Sequence, residues 1–254
     1  MKKNIIWSLI FIMGALTLPF ARAEATVGRS DTATERTARK QLSKKDQFRN
    51  VKIQVADGVA QISGTVDLLV HKLDAEKQVK RVEHVQAVSN QIEVVPQTPV
   101  SDAALTEKLA KKLRYDRVGY GIMFNNLAVD VRAGAATVSG HVRDYADRNS
   151  ALAIVETTPG VKGLFDEIEV APPSGFDDEL RLRMASAIYG HSALTRYALD
   201  PQKPIRIVVD RGQVELHGVV DTQLDKQIAL AQARSVPGAF AVEDRLFVAA
   251  DQAK

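Results

Sequence analysis

Residues 57–66 read DGVAQISGTV, and the same pattern returns as AGAATVSGHV at residues 133–142 and as RGQVELHGVV at residues 211–220. Each stretch holds a glycine, five residues and a second glycine. The first glycines, Gly58, Gly134 and Gly212, stand 76 and then 78 residues apart. Self-similarity at a fixed period marks a repeated structural unit, and it constrains every local reading that follows.

The second glycines, Gly64, Gly140 and Gly218, serve as a common origin. Eleven residues on, every copy has alanine: Ala75, Ala151 and Ala229. Fifteen on stand Val79, Val155 and Ala233, and twenty on stand His84, Gly160 and Gly238. Ile92, Ile168 and Leu246 follow at twenty-eight, with Val94, Val170 and Val248 two beyond. No gap is needed over this span, so one unit is written three times.

The periods identify the unit. Apolar residues alternate with polar ones on both sides of the first glycine: Ile53 and Val55 before it in the first copy, Ala60 and Ile62 after it. Period two around a turn glycine predicts a β-hairpin with one buried face, and Asp57-Gly58 is a favoured turn pair. Next, Leu68, Ala75, Val79 and Val82 fall near one helical face, as do Tyr145, Leu152 and Val155 in the second copy. Pro159-Gly160 and Pro237-Gly238 are expected to end that helix, and a last strand follows as NQIEV, DEIEV or DRLFV. An earlier helix is written by Leu105, Leu109 and Leu113 behind Ser101, and by Leu180, Met184 and Ile188 behind Asp177. The first copy offers only Ala38 and Leu42 for it.

The order is therefore α-β-β-α-β, and the fold class is α+β: three tandem units, each a small mixed three-stranded sheet with two helices on one face. A right-handed crossover through the second helix would make the second and third strands parallel. The expected boundaries are 31–96, 101–171 and 177–249, joined by the proline-bearing links 96–100 and 171–175.

Ahead of the repeats, Lys2 and Lys3 precede an apolar run over residues 5–20, and ARA ends at Ala23. A positive start, an apolar centre and a small-x-small end predict a cleaved Sec-type signal peptide over residues 1–23 and export to the periplasm. The run is broken by Gly14 and Pro19 and falls short of the roughly 20 residues that span a bilayer. Cleavage would remove Lys2, Lys3 and Arg22, so the 34 basic residues fall to 31 and equal the 31 acidic ones. A neutral mature chain gives no footprint for nucleic acid. Cysteine is absent, so each core holds by packing and no acylated cysteine anchors the chain.

Signs of catalysis are few. The five histidines, His71, His84, His141, His191 and His217, form no ligand pair and share no repeat position, so neither a metal site nor a cofactor is expected. The adjacent carboxylates Asp177-Asp178 and Glu243-Asp244 are expected to be solvated, the first pair favouring a helix dipole. The glycines Gly58, Gly64, Gly134, Gly140, Gly160, Gly212, Gly218 and Gly238 are structural turn or close-approach positions, not a phosphate loop.

One segment stands out. Residues 111–126, KKLRYDRVGYGIMFNN, mix Lys111, Lys112, Arg114 and Arg117 with Tyr115, Tyr120, Met123 and Phe124. Cations beside aromatic and flexible apolar groups suit a bilayer interface or a partner surface. The alternative is that Ile122, Met123 and Phe124 fill a core or a contact between copies. The third copy carries a related insert with Tyr189, Arg196 and Tyr197, which reads as a loop facing a partner.

The triple pattern resembles the BON domain family, named for bacterial osmotically inducible and nodulation proteins. The hairpin glycines, the SG.V or HG.V step, the alanine of the second helix and the PGV turn carry the resemblance over residues 30–248. His84 departs from it where glycine is expected. The resemblance implies periplasmic residence, no enzymatic activity, and association with anionic phospholipid surfaces or envelope proteins, in the service of envelope integrity or osmotic-stress survival. A rival reading is a protein-interaction scaffold or chaperone-like module.

Overall fold

The computed structural model describes residues 21–116, 121–200 and 203–249. The first unit runs α1 (Ala21–Leu42), β1 (Val51–Ala56), β2 (Val59–Val66), α2 (Leu69–Lys80) and β3 (Ala87–Val94). The second runs α3 (Asp102–Arg114), a short α4 (Gly121–Phe124), β4 (Asn126–Arg132), β5 (Ala135–Val142), α5 (Tyr145–Glu156) and β6 (Gly163–Val170). The third runs α6 (Gly175–Gly190), a short α7 (Thr195–Leu199), β7 (Arg206–Asp210), β8 (Gln213–Val220), α8 (Gln223–Arg234) and β9 (Ala241–Val248). The expected leader lies outside the described residues except at 21–23, which form the start of α1. Among the described residues no helix is long and apolar enough to cross a membrane.

Each unit is the α-β-β-α-β module read from the sequence. The hairpin strands are antiparallel, and the strand that follows the second helix pairs parallel with the hairpin's second strand. The two long helices of each unit cover one face of its sheet. Their buried stripes hold the expected residues: Ala38 and Leu42; Leu105, Leu109 and Leu113; Leu180, Met184 and Ile188; and the shared alanines Ala75, Ala151 and Ala229. Tyr145 departs from expectation. It begins α5 on the outside, and the side chain buried in that turn is Asp147.

The glycine pair has two separate jobs. At the hairpin tips Asp57, Ala133 and Arg211 take φ near 50° and the following glycines φ near 75°, the two positive values of a type I′ turn. The second glycines are needed for close approach: a Cβ at Gly64, Gly140 or Gly218 would sit 2.0, 2.1 or 2.5 Å from the carbonyl oxygen of Asn50, Asn126 or Pro204. At the end of the second helix Gly160 and Gly238 take φ of 107° and 96°, and His84 occupies the same left-handed region at 68°. The first copy keeps the geometry without the glycine.

Two ties recur in the units. Asp31, Asp102 and Asp177 each accept hydrogen bonds from both backbone N–H groups of the hairpin tip: Asp57 and Gly58, Ala133 and Gly134, Arg211 and Gly212, at 2.7 to 3.3 Å. Asp177 is thus buried and committed to the turn, not solvated as expected. The second tie joins helix to strand. Arg148 pairs with Asp166, Lys226 pairs with Asp244 at 2.9 Å, and in the first copy Asn90 bonds the Lys72 carbonyl and Glu76. Asp244 is therefore engaged in structure too.

The first and second units share one apolar cluster, formed where α2 meets α5. The third unit has its own.

Candidate interaction site

The basic and aromatic segment of the second unit does not form a single exposed face. Lys111, Lys112 and Arg114 occupy the last turn of α3, where cations favour the helix dipole, and Tyr115 caps it on the surface. The Lys112 ammonium donates to the Thr158 hydroxyl at 2.9 Å, and its pKa is lowered by burial first and by Lys108 second. Arg117 and Tyr120 lie outside the described residues. Met123 and Phe124 turn away from solvent: Phe124 is 4% exposed and sits inside the apolar cluster of the third unit, with Met123 packed against that cluster. Met123 and Phe124 thus make a contact between copies, where an aromatic ring gains more by burial in a neighbouring core than on a wet surface, while Lys111, Lys112, Arg114 and Tyr115 stay on the surface. Asn125 and Asn126 complete the joint. The Asn125 carbonyl accepts from Arg206 at 2.6 Å, and the Asn126 amide lies 3.1 Å from the His217 ring.

The third unit's insert also turns inward, against expectation. Tyr197 is 2% exposed; its hydroxyl donates to Asp225 at 2.9 Å and accepts from the Asp221 backbone at 2.8 Å. The Tyr189 hydroxyl donates to the Ile205 carbonyl. Neither ring is offered to a partner.

An exposed aromatic pair lies elsewhere, at the hairpin tip of the third unit, apart from single exposed rings such as those of Tyr145, Phe165 and Phe247. Phe176 and Phe240 stack with ring centroids 6.1 Å apart and stand 46% and 77% exposed. A Cβ at Gly212 would meet the Phe240 ring at 2.6 Å, and one at Gly238 would meet Phe176 and the Arg183 guanidinium at 3.3 Å. The rings therefore rest directly on backbone. Phe176 is held there because its neighbour Asp177 clamps the turn, and the Arg211 side chain projects from that turn into solvent. The corresponding positions carry Ser30 and Gln86 in the first copy, and Ser101 and Lys162 in the second. Comparing the three copies at these two offsets could have found the pair, but a tip exposed to solvent leaves no periodicity to point at it.

Three linked modules, the second and third with an insert between first helix and hairpin, make this a repeat protein. Among the described residues no cluster of three or more His, Asp or Glu side chains is placed to hold a metal ion. The BON domain profile matches residues 30–96, 101–172 and 191–250, and the chain belongs to the BON domain family. The third match begins after α6, although α6 supplies Leu180, Met184 and Ile188 to that unit's core. An uncharacterized protein in the gshII 5′ region of Anaplasma centrale is 23% identical over 133 residues, which cover 52% of this chain and 88% of that protein. Among solved structures, CdsD, a structural protein of the type III secretion system of Chlamydia trachomatis, is 13% identical, with 87% of this chain and 94% of that chain covered at a TM-score of 0.25. The PrgH periplasmic domain is 8% identical, with 79% and 95% covered at a TM-score of 0.21. Proteins of the BON family are generally non-enzymatic, and membership points to the cell envelope and to a membrane-associated or protein-interaction role.

Proposed function

We propose that this chain is a periplasmic, non-enzymatic module that docks peripherally on anionic phospholipid surfaces and supports envelope integrity under osmotic stress. The supporting observation is the tip of the third unit, where two exposed stacked phenylalanines stand beside Arg183, and Arg211 of the same turn, 3.8 Å from the Asp210 carboxylate, is exposed. Rings of this kind enter the headgroup zone while guanidinium groups meet lipid phosphates. The near-equality of acidic and basic residues after residue 23 keeps such docking weak and reversible. In a sedimentation assay with phosphatidylglycerol vesicles, the chain is expected to bind at low salt and to be released at high salt. Changing Phe176→Ser and Phe240→Gln together, the residues of the first copy, is expected to abolish binding with the fold intact. Equal sedimentation of this variant and the natural chain, or no sedimentation of either, rejects the reading.

A second reading has its own observation. Among the described residues the last strand of each sheet, β3, β6 and β9, pairs on one side only, with β2, β5 and β8. An open strand edge can accept an extended segment of an envelope protein by β-augmentation. Proline placed at alternate positions of β9 would discriminate this reading, since it blocks added strands and leaves the aromatic tip in place.

A further inference from the structure

The second and third units meet across a cleft of about 500 Å³ at the opposite end of the β7–β8 hairpin from the aromatic tip. The second unit contributes Leu113, Arg114 and Leu127 to its wall, and the third contributes Lys203, Arg206 and Val219. Arg206 is the unusual member. It donates to the Asn125 carbonyl at 2.6 Å, and among the described residues no carboxylate lies within 4.0 Å of it. Its pKa is lowered, first by withdrawal from water and then by the positive charge of Arg114. Lys203 on the same wall is held by Asp221 at 3.2 Å, and among the described residues Asp116 is the one acidic side chain on the lining. A charge taken out of water is ordinarily paired. Arg206 is half-buried on the cleft wall, and the second unit brings another cation, Arg114, to the same lining.

We propose that this cleft is a binding site for a phosphate monoester, with the phosphate between Arg114 and Arg206 and its organic part against Leu113, Leu127 and Val219. Guanidinium forks match phosphate oxygens bidentately, and a dianion answers two cations where a carboxylate would answer one. The volume falls within the range of small-molecule sites, and the mixed lining suits a ligand with one charged and one apolar end. Because its walls come from two units, a bound ligand would also brace the joint, and binding would raise the stability of the third unit by mass action. The site does not depend on the aromatic tip. Either a soluble phosphate monoester or the monoester headgroup of phosphatidic acid presents the required chemistry.

The test is titration of the purified chain with n-butyl phosphate, followed by calorimetry and by thermal unfolding, with n-butanol as control. Saturable one-site binding with a rise in Tm is expected for the ester and not for the alcohol. Arg206→Gln and Arg114→Gln are each expected to weaken it at least about tenfold, the loss of one charge-assisted contact. Lys111→Gln, outside the cleft, is expected to leave it unchanged. Arg114 is on the surface, so its variant keeps the measurement decisive if Arg206→Gln disturbs the joint. Phosphatidic acid vesicles, whose headgroup is itself a phosphate monoester, separate the sources. Vesicle binding lost in the arginine variants identifies a lipid headgroup, and vesicle binding unaffected by them identifies a soluble ester. Absence of saturable binding, or equal binding by the arginine variants, overturns the proposal. The Phe176→Ser and Phe240→Gln variant should titrate normally, so failure of the membrane reading is distinguishable from failure of this one.

Discussion

Asp147 and Asp225 stand at the same place in consecutive copies, seven residues past the second hairpin glycine and three past the cap of the following helix, yet their surroundings are opposite. Asp225 accepts from the Thr222 hydroxyl at 2.8 Å, from the Tyr197 hydroxyl at 2.9 Å and from Arg196 at 2.5 Å. Burial works to raise its pKa, but those bonds and the Arg196 charge outweigh it and hold the carboxyl below its ordinary value. Asp147 is 0% exposed, and neither carboxylate oxygen finds a hydrogen bond among the described residues. Burial foremost, then the nearby Asp144 charge, pushes its pKa up to about 6. Arg143 at 4.0 Å offsets only part of this, and the Asn125 amide stands near without reaching hydrogen-bond geometry.

The difference follows from where each insert goes. Between α6 and β7, α7 folds back on its own unit and delivers Tyr197 and Arg196 to Asp225. Between α3 and β4, α4 reaches outward and delivers Phe124 to the neighbouring core. One unit closes on itself. The other gives its aromatic to the joint and leaves a carboxylate short of partners.

The largest effect is expected from breaking that loan. Phe124→Ala removes a buried ring and should cost about 3 kcal/mol. Hydrogen exchange would show the loss in β7 and β8, in the third unit, and not in the first unit's β1 and β2. Uniform loss over all three units would contradict the loan.

Asp225→Asn comes next. It weakens three hydrogen bonds to a charged acceptor and should cost about 2 kcal/mol at neutral pH in urea unfolding. Because its native pKa is depressed, the contribution of Asp225 is present above the unfolded value of 3.8 and is lost as pH falls through the native value. The variant and the natural chain should therefore converge in strong acid.

Asp147→Asn should have the reverse sign, a gain of about 1 to 2 kcal/mol at pH 7.5. A carboxyl whose native pKa lies above its unfolded value binds more protons folded than unfolded. Stability therefore falls as pH rises from 3.8 to about 6 and stays level beyond. The variant should lack that slope, and unfolding curves across the window would reveal it.

The smallest effect extends the comparison to the first copy. His84→Gly places glycine in the left-handed geometry that Gly160 and Gly238 occupy natively, and should gain about 1 kcal/mol in thermal unfolding. A loss would mean that the imidazole makes a contact worth more than the strain.

The modules were legible because their determinants are local and in register. Alternation around Gly58, Gly134 and Gly212, the shared alanines and the left-handed turn before the last strand all fall within a span that aligns without gaps. The helix-to-strand tie lies in that same span: Lys72, Arg148 and Lys226 stand eight residues past the origin, and Asn90, Asp166 and Asp244 twenty-six past it. It could have been read from the sequence. The clamp of Asp31, Asp102 and Asp177 was hidden because inserts of different length separate it from the hairpin. Anchoring on the start of the first helix, not on the glycines, would have exposed it. The site was less legible. Residues 111–126 look amphipathic whether their aromatic side chains meet lipid or a neighbouring core, since both reward the same side chains. The tip pair, sixty-four residues apart, becomes visible only when Asp177 brings the helix start to the turn.

That clamp also makes part of each module open to new sequence. Its aspartate lies 27, 32 or 35 residues ahead of the first hairpin glycine, while the rest of the unit keeps a fixed count. With both ends of the interval pinned to one carboxylate, extra residues between helix and hairpin cost only the slow rise of loop closure entropy with length. This is the interval in which the copies have diverged, one acquiring a lid for its own helix cap and another an arm for its neighbour. A foreign loop grafted there would inherit a docked helix and a set hairpin, so the module can change its contacts without renegotiating its fold.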